Sequence, residues 1–65
     1  MVMDLNSMRR YQGRKLSHVD NGRTYEGYGA AERIWGGRQV VRIDLIEPLE
    51  GIEQIYAPSD EVRII

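Results

Sequence analysis

The stretch from Gly51 to Ile65 constrains this chain most, because its apolar positions recur every second residue on either side of Ala57-Pro58-Ser59-Asp60. A period of two belongs to half-buried strands and not to helices. The segment predicts a strand over Ile52 to Tyr56, a one-turn break, and a closing strand over Val62 to Ile65. Pro58 lacks the N–H that a ladder requires, so Pro58 to Glu61 is expected to form a short 3₁₀ turn.

The same period appears upstream. Arg38 to Glu47 alternates cleanly, with Val41, Ile43 and Leu45 on one face and Arg42 and Asp44 on the other. Pro48 is expected to end that strand, and Leu49-Glu50-Gly51 to connect it to the next. Arg14 to Val19 reads as the first strand. Asp20-Asn21-Gly22 follows it, and Asn-Gly is the dipeptide that most readily supplies two positive-φ residues to a tight hairpin. Arg23 to Trp35 then returns as the second strand, with Gly27 and Gly29 marking a bulge or a close approach of backbone, and Gly36-Gly37 makes the next turn. Five short strands joined by glycine turns imply a compact barrel, since closure removes exposed edges. Val41, Ile43, Leu45, Val62 and Ile64 form the expected core.

With 65 residues, the chain makes one domain and buries only about 60% of the surface its unfolded form exposes. Residues 13–65 are read as the barrel. Residues 1–12 show no sustained period and are read as a loosely attached arm, in which Met3, Leu5 and Met8 could dock as one apolar turn. Domains this small usually need a staple. There is no cysteine and one histidine, so a homo-oligomer is the expected state. The absence of cysteine fits a reducing compartment. No apolar run approaches the ~18 residues that cross a bilayer. Met1 to Met8 lacks the basic start and apolar block of a signal peptide, and a cytoplasmic location with no membrane contact is expected. The net charge is −1. Residues 1–42 hold eight basic and four acidic side chains, and residues 43–65 one basic and six acidic, giving +4 against −5.

Pro58-Ser59-Asp60-Glu61-Val62-Arg63-Ile64-Ile65 resembles the closing segment of Src-homology-3 (SH3) domains, where proline and serine open a 3₁₀ turn and a valine begins the last strand. The resemblance implies an all-β, five-stranded SH3-like barrel with a short 3₁₀ turn before its final strand. Glu61 stands where that family's ligand groove carries an aromatic, and Trp35 precedes a glycine turn instead of following the second loop. Recognition of proline-rich peptides is accordingly not expected.

Gly51-x-x-Gln54-Ile55-Tyr56, with Arg63-Ile64 at matching distance, resembles the pore motif and final strand of the plasmid- and integron-borne type II dihydrofolate reductases, and Tyr25-Glu26-Gly27 is similar to the start of that family's second strand. The resemblance implies a pore enzyme that uses NADPH, encoded in a mobile gene cassette, with Gln54, Ile55 and Tyr56 binding folate and nicotinamide. Ile52 replaces the family's serine, Glu53 its valine, and its pore lysine falls near Val19. Glu53 facing a symmetric pore would repel the phosphates of NADPH.

Arg9, Arg10, Tyr11, Arg14 and Lys15 place basic side chains beside an aromatic, a pattern suited to tracking phosphates. The acidic C-terminal strands oppose that use, and nucleic acid is the third reading. His18 has no partner at metal-ligand or triad spacing and is expected to be a solvated strand residue. The glycine pairs form no phosphate loop, for no lysine or helix start follows them. Glu47, Glu50 and Glu53 read as a solubilising cluster. No catalytic residue, metal or cofactor is assigned. The function expected first is a non-enzymatic binding or assembly module, with a protein partner or copies of itself; the alternative is the NADPH-dependent reductase.

Overall fold

The computed structural model describes residues 10–65. The fold is all-β: β1 (Lys15–Asp20), β2 (Arg23–Trp35), β3 (Arg38–Leu49), β4 (Ile52–Pro58), a 3₁₀ turn (Ser59–Glu61) and β5 (Val62–Ile64). All pairings are antiparallel and belong to one sheet ordered β4-β3-β2-β1-β5. The first four strands form a meander, and β5 returns to pair with β1. β4 and β5 are the outer strands and no ladder joins them, so the expected closure into a barrel is not made by hydrogen bonds among the described residues. No helix there is long and apolar enough to cross a membrane.

Three two-residue hairpins connect the meander. Asn21 and Gly22 have φ of 51° and 78°, Gly36 and Gly37 59° and 80°, and Glu50 and Gly51 53° and 83°. Two successive positive-φ residues match the right-handed twist of the flanking strands. Asn-Gly and Gly-Gly reach this conformation at little cost. Glu50 reaches it against its own Cβ.

The strand bounds differ from expectation at several ends; β1 runs on to Asp20 and β5 stops at Ile64. β1 starts at Lys15, because Arg14 belongs to a turn in which its N–H donates to the Tyr11 carbonyl at 3.1 Å. β3 runs through Pro48 to Leu49; the proline is tolerated because the β3–β4 register breaks between Asp44 and Leu49, where no ladder N–H is needed. β4 extends past Tyr56 to Pro58, which pairs with Val40 as the last residue of an outer strand.

The core comprises Tyr11, Leu16, Val41, Ile43, Ala57 and Val62, with Leu45 and Ile55 packed against it. Leu16, Val41 and Ile43 are fully buried. Apart from Tyr11, which precedes β1, the buried core residues come from β1, β3, β4 and β5, so the sheet curls until distant strands cover one another; a flat sheet would leave that face wet. Two glycines permit the curl. A Cβ on Gly27 would strike the Asp44 carbonyl, and one on Gly29 the Tyr11 carbonyl. The close approach expected at Gly27 and Gly29 is thus present, while the bulge falls just after them, where the β2–β3 register shifts between Gly29 and Glu32.

Gly29 also anchors the entry segment. The Gly13 N–H donates to the Gly29 carbonyl at 2.8 Å, and the Gly29 N–H to the Arg14 carbonyl at 2.9 Å. This docking buries Tyr11, which belongs to the core and not to a loose arm. The positions proposed for Met3, Leu5 and Met8 lie outside the described residues. Ile64, expected in the core, is exposed although it pairs with Leu16, because β5 is a three-residue outer strand with β1 on one side only.

Candidate functional site

Register assigns side chains to the two faces of the sheet. Leu16, Gly27, Gly29, Val41, Ile43, Ile55 and Ala57 share the inward face through the pairs Leu16–Gly27, Gly29–Ile43, Ile43–Ile55 and Val41–Ala57. The outward face of β2, β3 and β4 carries the intervening residues, through Trp35–Arg38, Arg33–Val40, Arg42–Tyr56 and Asp44–Gln54. Trp35 is 63% exposed and Tyr56 41%. Their rings meet edge to face with centroids 5.9 Å apart and planes at 85°, the geometry that aromatic quadrupoles favour. The Arg33 guanidinium lies over the Tyr56 ring, 5.6 Å from its centroid. Nε of Arg42 lies 3.1 Å from Asp44 Oδ1 as an ion pair, although its N–H is not directed along a hydrogen bond.

Beside this face, Gln54, Ile55 and Tyr56 line a cavity of about 380 Å³ with His18, Asp20 and Tyr25. The curl therefore brings β1 and β4 to one concavity although two strands separate them in the sheet. Gln54 is exposed and Ile55 half-buried. The three residues of the reductase-like motif are thus together and accessible. His18, expected to be solvated, is buried, and its Nδ1 lies 3.2 Å from the Glu61 carbonyl. A carbonyl only accepts, so Nδ1 carries the proton in this contact. The ring ties β1 to the 3₁₀ turn by the same route that pairs His18 with Val62.

A second cavity, of about 410 Å³, is lined by Arg10, Tyr11, Arg38, Gln39, Ser59 and Asp60. Arg38 reaches Asp60 Oδ1 and Glu61 Oε2, both at 3.3 Å, and all three side chains are exposed. Gln39 donates to Glu32 Oε1 at 2.8 Å, and Glu32 Oε2 accepts from the Tyr11 backbone N–H at 3.3 Å. Ser59 is buried, and its hydroxyl has no hydrogen-bond partner among the described residues.

The basic arm does not assemble as one patch. Arg9 lies outside the described residues. Tyr11 is 6% exposed and has Arg10 5.2 Å over its ring, so it presents no free face for stacking. Lys15 lines a third groove, with Tyr25, Glu26 and Leu45 among its walls. Arg14 is exposed at the turn before β1. Of the carboxylates read as a cluster, Glu50 pairs with Arg23 at 3.3 Å on the surface. No group of three or more His, Cys, Asp or Glu side chains among the described residues is placed to hold a metal. The residues that sequence reasoning missed are Arg33, Trp35, Arg38 and Ser59. For the first three the signal was present in the alternation Arg33-x-Trp35 and Arg38-x-Val40-x-Arg42, which puts cations and an aromatic on one strand face.

Comparison of the chain with protein-family models, with curated proteins and with solved structures finds no match in any of the three.

Proposed function

We propose that the chain is a non-enzymatic binding and assembly module, built as a small SH3-like barrel and working as a homo-oligomer. The supporting observation is the imbalance between what is buried and what is exposed. Six apolar or aromatic residues form the buried core, whereas nine large ones stay exposed among the described residues. Scattered exposed apolar residues are ordinary, but these include Ile52 on β4 and Ile64 and Ile65 at β5, the two outer strands. Outer strands present unpaired N–H and C=O groups, and apolar flanks make them natural seams between copies. The curl that brings β1 and β4 to one cavity, together with the 3₁₀ turn ahead of β5, supports the barrel. Replacing Ile52 and Ile64 by serine tests the seam: the assembled mass falls while the circular dichroism spectrum is retained.

The reductase reading has one observation in its favour, that Gln54, Ile55 and Tyr56 line a common cavity. Asp20 lines that cavity and Glu53 stands exposed next to Gln54 in the chain, so negative charge opposes a phosphate that approaches. Calorimetric titration with NADPH is expected to give no micromolar binding and no dihydrofolate reduction. Micromolar binding abolished by Gln54→Ala would establish the reductase in place of the module.

A further inference from the structure

We infer that the outward face of β2, β3 and β4 binds single-stranded nucleic acid, with bases stacking on Trp35 and Tyr56 and phosphates meeting Arg33, Arg38 and Arg10. This inference rests on the module reading and gives its open face a ligand class. Two features of the face carry it. The first is an exposed aromatic pair on the sheet, Trp35 and Tyr56 in edge-to-face contact with the Arg33 guanidinium near the Tyr56 ring. An aromatic on a sheet face offers its π surface to any base, and stacking of this kind tolerates sequence.

The second is the distribution of charge. The chain has a net charge of −1, yet the outward register positions of β2 and β3 near the pair hold Arg33, Arg38 and Arg42 against Asp44. Arg38 extends to the cavity where Arg10 and the buried Ser59 hydroxyl, without a partner among the described residues, are found. The carboxylates that face these cations are Asp44 on Arg42 and Asp60 and Glu61 on Arg38. The two Arg38 pairs are exposed and of the kind that contribute little, so a phosphate can replace the carboxylate there, whereas Arg42 is half-buried and keeps its Nε against Asp44. Among the described residues Arg33 forms no ion pair with a carboxylate and lies over a ring instead. Duplex DNA hides the faces of its bases and would offer the pair nothing to stack on. A single strand exposes them.

The chain's one tryptophan is the stacking residue itself, so its fluorescence reports directly on occupancy. Titration of the full chain with oligothymidylate is expected to quench Trp35 emission to saturation, and a fourfold rise in salt to weaken binding roughly five- to twentyfold, as two or three phosphate contacts require. Followed by anisotropy of a labelled oligonucleotide, Trp35→Ala is expected to weaken binding about tenfold, with Trp35→Phe restoring most of it. Arg33→Ala should lower both the affinity and the salt slope. Absence of quenching at high micromolar oligonucleotide would overturn the inference. So would equal binding of inorganic polyphosphate or duplex DNA with no dependence on Trp35, which would mean charge alone. Emission that follows protein concentration and ignores oligonucleotide would overturn it too, assigning the face to a second copy. Loss of nucleic-acid binding with the oligomer intact would remove this ligand and leave the module reading standing.

Discussion

The two faces of β3 are made by neighbouring residues and are held by different forces. On the inward side Val41 and Ile43 are fully buried against Leu16, Ala57 and Val62. On the outward side Arg42 and Asp44 meet each other at 3.1 Å with half of the carboxylate in water. Burial of a Val or Ile side chain is worth about 1.5–3 kcal/mol, whereas an exposed ion pair contributes about 0–1 kcal/mol. Stability is therefore concentrated on one face, which leaves the other free to carry Trp35, Tyr56 and Arg33 as contact residues.

That contrast is broken first by emptying the inward face. Ile43→Ala is expected to cost about 2–5 kcal/mol, enough to unfold most of so small a domain, as urea denaturation would show. If Arg42→Ala cost as much, the strand would be buried on both sides. Gly29→Ala probes the same face through the backbone. Its Cβ would meet the Tyr11 carbonyl, which cannot rotate away as a side chain would. A loss of about 1–3 kcal/mol is expected, with faster proteolysis around Tyr11 as the entry segment is displaced.

How much of this was legible depended on whether a residue's fate was set locally. The alternation from Arg38 to Leu45 and the pairs Asn21-Gly22 and Gly36-Gly37 set strand faces and hairpins by local sterics, and the structure has them where the pattern places them. Burial at strand ends was not legible. Val62 and Ile64 have the same parity, but only Val62 joins the buried core, and Ile64, at the end of an outer strand, stays exposed. Tyr11 and His18 are buried through contacts with Gly29 and Glu61, far along the chain from both. The candidate site divides in the same way. Gln54, Ile55 and Tyr56 were recognisable as a motif, whereas the Trp35–Tyr56 contact needs the β2–β3–β4 register, which no local pattern encodes.

Smaller effects sharpen the comparison. His18→Ala removes a hydrogen bond worth about 0.5–1.5 kcal/mol together with buried packing, and is expected to loosen β5 selectively, seen as faster amide exchange at Val62 and Arg63. Glu50→Gly relieves the positive φ at the third hairpin and should stabilise the domain by up to about 1 kcal/mol in thermal unfolding. Its lost contact with Arg23 is exposed and weighs less. Arg38→Ala, on the outward face, is expected to change stability by less than about 1 kcal/mol.

Sedimentation equilibrium of the native chain, carried from high to low micromolar concentration, tests the central claim that its outer strands meet a partner copy. The account predicts a dimer or larger species that dissociates on dilution and loses cooperative unfolding as it does so. A monomer at every concentration that still unfolds cooperatively would contradict it.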